Sequence, residues 1–215
     1  MKHIKLYLIV GLLASICLPV QADRYVTLKS PNERLEVKIW TEGQLAYALS
    51  HNGQILLDKS PIGLILEDKT LGEDVKVSRV NKRKLVKENI SSPHYRCSAF
   101  NVIYNEVNVK LKGNYGIIFR AYDEGIAYRF YTFAKSPIVI KDEIVRMNFL
   151  KDYETYMAYS TVKPGKDQYA MAFQNLYTKA TLKGIDTNQI AFLPITVDCE
   201  DGLKMTLLES DLEGY

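Results

Sequence analysis

The feature that most constrains this chain is an alternation of apolar and polar residues with a period of two. Leu35, Val37 and Ile39 alternate with Glu36, Lys38 and Trp40, and Val107, Val109 and Leu111 alternate with Asn108, Lys110 and Lys112. In extended backbone successive side chains point to opposite faces, so each run has one face to bury and one to leave in water. No window of twelve residues keeps a 3.6-residue period; the best helix candidate, 167–177, is short. Turn pairs separate the runs: Glu42-Gly43, Asn52-Gly53, Glu124-Gly125 and Asp201-Gly202, with Gly113-Asn114 as a further hairpin candidate. Fifteen tyrosines against one tryptophan suit half-buried strands better than a helical bundle. The expected fold is all-β: one large antiparallel sandwich of about a dozen strands, its sheet edges hidden by loops or another domain.

The first residues read as a secretory signal peptide spanning 1–22. Lys2 and Lys5 precede an apolar run from Leu6 to Leu18, and Val20-Gln21-Ala22 supplies small residues for cleavage. The run is too short for a membrane span, and no other stretch approaches the roughly 18 apolar residues a span needs. The mature chain, 23–215, is therefore expected to be exported, to the periplasm. Removing 1–22 deletes two lysines and no acid, so the charge becomes 26 − 25 = +1. That balance excludes an electrostatic case for nucleic-acid binding.

Export places the chain where disulfides persist. Two cysteines remain, Cys97 and Cys199, far apart in sequence; they pair, or they are two small buried hydrophobes, and the second reading is preferred. With only His51 and His94 left and no CxxC or HxxxH spacing, zinc is disfavoured. Asn89-Ile90-Ser91 matches a glycosylation sequon of low specificity.

Several landmarks occur in a fixed order: Ser30-Pro31-Asn32-Glu33-Arg34-Leu35, Leu45-Ala46-Tyr47, Asn52-Gly53-Gln54-Ile55-Leu56-Leu57, and Ser60-Pro61-Ile62-Gly63-Leu64. The most specific is the block from Phe119 through Arg120-Ala121-Tyr122-Asp123-Glu124-Gly125 to Phe130, and the chain closes with Glu209-Ser210-Asp211-Leu212. In this order, and over almost all of 23–215, they resemble the N-terminal domain of glycoside hydrolase family 97, exported α-glucosidases and α-galactosidases of Bacteroidota. The resemblance implies a β-super-sandwich of the galactose mutarotase type. It also implies a (β/α)8 catalytic barrel that follows the sandwich, a dependence on calcium, and carbohydrate, an α-glucoside or α-galactoside, as the substrate. The family continues with Pro-Gly-Met where this sequence has reached Asp211-Leu212, so a chain truncated before its barrel is expected.

Glycoside cleavage needs two carboxyl groups at a fixed separation, about 5–5.5 Å for retention or 6.5–9.5 Å for inversion. The family carries them on the barrel, and spacing assigns no such pair in 23–215, so no catalytic residue is expected. Asp123 and Glu124 are adjacent and should point apart in extended backbone, which argues against a dyad. The block around them reads as a hairpin, with Gly125 supplying a positive φ and with Arg120 and Arg129 paired to carboxylates; packed on a barrel, it would shape the entrance.

In the family a Glu three residues before a Tyr reaches from the sandwich to a barrel-bound calcium. By that match Gln174 takes the Glu position and Tyr177 the Tyr. Calcium accepts an amide carbonyl among its six to eight oxygen ligands, so Gln174 is a calcium contact in a full-length protein, without the charge of Glu; the bland alternative is a surface polar residue. Tyr153, Tyr156, Tyr159 and Tyr169 read as core or domain-interface packing in preference to a sugar platform, Trp40 as an anchor, and Lys82-Arg83-Lys84 as a solvated loop. A self-standing periplasmic sugar-binding module is the alternative to the accessory domain. A mutarotase-type epimerase rests on fold analogy alone.

Overall fold

The computed structural model describes residues 24–92, 96–161, 165–167, 169, 173 and 175–210. Their strands, in chain order, are β1 (Tyr25–Lys29), β2 (Leu35–Trp40), β3 (Glu42–Gly43), β4 (Ala46–His51), β5 (Gln54–Leu66), β6 (Thr70–Leu71), β7 (Val75–Ser91) and β8 (Ala99–Leu111). After these come β9 (Tyr115–Ala121), β10 (Ile126–Thr132), β11 (Ile140–Val145), β12 (Asn148–Phe149), β13 (Glu154–Tyr159), β14 (Thr178–Thr181), β15 (Ala191–Asp198) and β16 (Lys204–Leu207). The all-β expectation holds, with sixteen strands against about a dozen expected, because three two-residue strands, β3, β6 and β12, carry no periodic signal of their own. The one helical element with described bounds is a single 3-10 turn, Leu182–Gly184, so the helix expected over 167–177 falls largely outside the described residues.

The strands form three antiparallel sheets. The first runs β1-β2-β4-β5-β11, with β6 and β12 also on β5; the second runs β10-β9-β8-β7-β3; the third runs β14-β13-β15-β16. The first two face each other, with β1 and β2 packed on β8 and β9. Between them lie the residues that the alternation marks: Val37 and Ile39 from one side, Val107, Val109, Ile117 and Phe119 from the other, all closed to solvent. Each such side chain contributes about 1.5–3 kcal/mol when buried. Tyr153, Val197 and Cys199 from the region of the third sheet join the same cluster. Phe119 carries an aromatic contact network, with ring centroids 6.1 Å from Tyr47 and 5.4 Å from Tyr128. Burial pushes the Tyr47 hydroxyl up to about 12.

Three turn pairs act as expected; one is Asp201-Gly202, with positive φ at both residues, 50° and 77°, in the turn between β15 and β16. Asn52 and Gly53 both take positive φ, 48° and 82°, and join His51 to Gln54, the two-residue connection that matches strand twist. Gly113 and Asn114, at 97° and 62°, close the hairpin between Leu111 and Tyr115. Two others differ. Glu42-Gly43 is itself β3, paired with Lys76 and Val75 at the edge of the second sheet. Gly125 does not adopt a positive φ; its carbonyl accepts from the Tyr122 N–H at 2.8 Å, so the turn closes without a left-handed residue.

That hairpin is held from elsewhere. The Asp123 Oδ1 accepts from the Asn32 N–H at 2.8 Å, and Asn32 in turn accepts from the Ser30 hydroxyl at 2.7 Å and the Arg34 N–H at 3.0 Å. The Ser-Pro-Asn landmark and the Arg-Ala-Tyr-Asp landmark, 91 residues apart, are therefore two sides of one hydrogen-bonded corner. Arg120 donates from Nε to Glu106 at 2.9 Å and lies 3.7 Å from Glu88, with its guanidinium 4.3 Å from the Tyr104 ring centre. Arg83 reaches the other Glu106 oxygen at 3.3 Å. Burial, with the Glu88 hydrogen bond at 2.6 Å adding to it, pushes the Tyr104 hydroxyl up to about 12. Arg120 is thus paired as expected, whereas Arg129 stands exposed on β10 and makes no ion pair among the described residues.

Lys82-Arg83-Lys84 lies within β7, not in a loop; Lys82 donates to the Thr27 carbonyl at 2.9 Å and Arg83 is the Glu106 partner. The charges mark an edge strand in place of a loop, because a strand's solvent side tolerates them equally well. Trp40 is an anchor, 5.7 Å from the Tyr25 ring with the Lys59 ammonium 5.2 Å above its face. Cys199 is buried as expected, but Cys97 is exposed and both thiols are free, so the two-buried-hydrophobes reading fails for Cys97.

Two predictions test this packing. At Gly116 a Cβ would overlap the Tyr131 ring and sit 2.6 Å from the Val109 carbonyl oxygen. Gly116→Ala should lower the unfolding free energy in urea by about 1–3 kcal/mol. Adding Tyr131→Ala should not restore it, since the backbone carbonyl stays in place. Glu106 is 6% exposed while Arg83 and Arg120 keep contact with water, so removing the carboxylate leaves no charge fully buried. Glu106→Ala should then cost about 1.5–3 kcal/mol, the value of hydrogen bonds to a charged group, below the loss for a fully buried pair. A shift in denaturation midpoint at constant slope checks it.

Candidate functional site

The third sheet ends in a cavity. β13 closes with Tyr159, followed by Ser160 and Thr161; opposite them, the segment after β14 turns through the Leu182–Gly184 3-10 turn and returns at Ile190. The Ser160 N–H donates to the Ile190 carbonyl at 2.7 Å, and the Asp186 N–H donates to the Tyr159 hydroxyl at 2.9 Å. These two bonds hold the walls around about 620 Å³ of open space, within the range of small-molecule sites. Asn175, Leu176 and Thr178 complete the wall on the side of β14.

Among the described residues of the lining, Asp186 is the one that is charged. Its Oδ2 accepts from the Gln189 amide at 2.7 Å and its Oδ1 from the Asn188 N–H at 2.9 Å. Those bonds, Gln189 foremost, hold its carboxyl below the usual range. A carboxyl lowered in the folded state stays ionised as pH falls toward its unfolded value, so the cavity presents an acceptor at neutral and mildly acid pH. Ser160 is 4% exposed, and its hydroxyl has no hydrogen-bond partner among the described residues. A carboxylate that accepts hydrogen bonds, with side-chain amides and hydroxyls that both give and take them, suits a neutral, hydroxyl-rich ligand, since a ligand hydroxyl also does both.

Beside the cavity stands an apolar rim. Phe173 lies 5.2 Å from Tyr177 and 6.3 Å from Phe192, ring centre to ring centre. Leu176 is 87% exposed and Tyr169 77%, with Tyr177 and Leu193 also open to solvent. Large apolar side chains gathered at one end of a folded body mark an interaction surface. The tyrosines read together in the sequence separate here. Tyr153 is buried in the core, Tyr156 and Tyr159 are half-buried on β13, and Tyr169 alone is fully presented. Packing therefore accounts for Tyr153, whereas Tyr169 is open to solvent.

Gln174 lies outside the described residues, as do His94 and 1–22. Its neighbours Phe173 and Asn175 belong to the rim and the wall. No three His, Cys, Asp or Glu side chains come together among the described residues, and both Asp186 oxygens already accept hydrogen bonds. The described residues therefore do not build a calcium cage by themselves, since calcium takes six to eight oxygens. Nor do they present a glycosidase acid pair at this cavity. Glu143 has its carboxyl raised by burial, with Glu209 and Asp142 adding repulsion, but it stands on β11 and lines neither this cavity nor the second, of about 540 Å³, beside β3 and β6.

Asp186, Asn188 and Gln189 were not anticipated from the sequence. The run Asp186-Thr187-Asn188-Gln189 carries the signal of an Asx-type turn, which marks a loop but gives no hint that it faces β13.

Comparison with known proteins fits this architecture. The model of the glycosyl-hydrolase 97 N-terminal family matches residues 28–215. A retaining alpha-galactosidase of Bacteroides thetaiotaomicron is 38% identical over 211 residues, which is 95% of this chain and 31% of that protein. A family 97 enzyme from Pseudoalteromonas sp. strain K8, solved with acarbose, superposes with a TM-score of 0.66 at 18% identity, over 83% of this chain and 27% of that one. A beta-arabinopyranosidase superposes with a TM-score of 0.57 at 22% identity, over 69% and 26%. The chain thus spans between about a quarter and a third of the length of these relatives. Sandwich, corner and matched residues agree: this chain belongs to the glycosyl-hydrolase 97 N-terminal family.

Proposed function

We infer that the chain serves as the non-catalytic N-terminal domain of an exported, periplasmic α-glycosidase of family 97. It docks on a (β/α)8 barrel through the rim of Phe173, Leu176 and Tyr177 and lends the neighbouring cavity to the substrate cleft. One observation carries this reading: the apolar rim and the polar cavity share the end of the third sheet. An α-galactoside is the favoured substrate of the whole enzyme, by likeness to the alpha-galactosidase at 38% identity. Calcium belongs to this reading as an ion shared between domains. Gln174 offers one amide oxygen and the barrel the others, which fits a sandwich whose described residues gather no cage of their own. A self-standing sugar-binding module is the second reading; the cavity favours it, and the exposed rim opposes it.

Incubation with aryl α-galactoside and aryl α-glucoside separates the possibilities. The 215-residue chain alone should release no aryl alcohol, and an enzyme joining this domain to a family 97 barrel should hydrolyse the galactoside faster. Turnover by the chain alone would place the chemistry within the sandwich and end the accessory reading. In that joined enzyme Gln174→Glu should tighten calcium at least about tenfold, because a carboxylate adds charge to the ligand set. Equal affinities by calcium titration would remove Gln174 from it.

A further inference from the structure

β7 and β8 are longer than the sheet that contains them. β9 pairs with β8 only from Asn105 onward, whereas β8 begins at Ala99. Beyond that point 86–91 and 99–104 form a two-stranded ribbon, with Val86 opposite Tyr104 and Ser91 opposite Ala99. A two-stranded ribbon is marginal by itself, and among the described residues no further strand pairs with either of its edges.

The two edges are treated differently. Within the ribbon β7 carries Lys87 and Glu88, and Arg79, Lys82, Arg83 and Lys84 precede them on the same strand; such charges block edge-to-edge pairing. The β8 segment Ala99-Phe100-Asn101-Val102-Ile103-Tyr104 carries none. Along it Phe100 and Val102 share one face with Ile90, while Asn101 and Ile103 share the other, and Ile103 is 45% exposed.

We propose that this β8 edge is the pairing surface for a second copy of the chain, joined antiparallel about a two-fold axis at Asn101. Such a join is self-complementary. With Asn101 opposite its own copy, Phe100 meets Val102, Ile103 meets Ala99, and no like charges oppose each other. Asn89 already donates to the Asn101 Oδ1 at 2.7 Å, so the axis would extend that amide pair into a row across four strands.

The test uses the purified chain. Sedimentation equilibrium should give a species of twice the chain mass. Ile103→Lys should raise its dissociation constant at least about tenfold, because the symmetry places two new charges at one interface. Far-UV circular dichroism should stay unchanged. On a Cys97→Ser background, Asn101→Cys should oxidise to a covalent dimer, and Lys87→Cys, on the far strand, should not. A monomer at every concentration, an association indifferent to Ile103→Lys, open-ended aggregates, or cross-linking at 87 in place of 101 would each overturn the proposal. The association does not depend on the accessory-domain reading, which the glycoside assay decides separately.

Discussion

Everything in this molecule depends on covering the inner faces of two sheets with each other. A strand satisfies its backbone by hydrogen bonding sideways, which leaves its apolar face exposed unless a second layer is laid on it. Val37 and Ile39 on β2 meet the face that carries Val107, Val109 and Phe119 on β8 and β9. All five are closed to solvent, and the third sheet joins the same core through Tyr153 and Val197. The cavity hangs on that third sheet, so the site is positioned by the sandwich core even though no residue of the main core lines it.

A second layer of control is polar. The corner made by Ser30, Asn32 and Asp123 ties the start of the first sheet to the hairpin of the second, and the Glu106 cluster fixes the same hairpin from its outer face. Hydrogen bonds and ion pairs of this kind contribute less than apolar burial, but they are directional. They choose one arrangement among the many that hydrophobic packing alone would permit. This explains why two short sequence landmarks far apart in the chain go together: they are the two halves of one corner.

The contrast between edges shows how a β fold manages its open sides. The first sheet ends at β1 and β11, the second at β10 and at β3 with β7, and each needs charges, partners or short strands to avoid indiscriminate pairing. β7 answers with arginines and lysines. At the end of the third sheet, Leu176 and Tyr177 stand open to solvent beside the half-buried Phe173.

Period-two patterning and turn residues were enough to determine the β class, the buried faces of β2 and β8 and three of the hairpins, because side-chain alternation and left-handed turn residues are local properties of the backbone. Neither the conformation of Gly125 nor the partner of Arg120 was legible, since both are decided by atoms that arrive from distant strands: a carbonyl hydrogen bond closes one turn, and Glu106 of β8 selects one of two arginines. The basic triplet at Lys82 was read as a loop because solvent accepts charge from a strand edge as readily as from a turn. The cavity was equally hidden: Tyr159 and Asp186 lie 27 residues apart and become neighbours only when β13 and the segment after β14 are folded against each other. Local sequence set what each segment can be, and only long-range packing decided what each one faces, because facing depends on register and layer, which are settled by the chain as a whole.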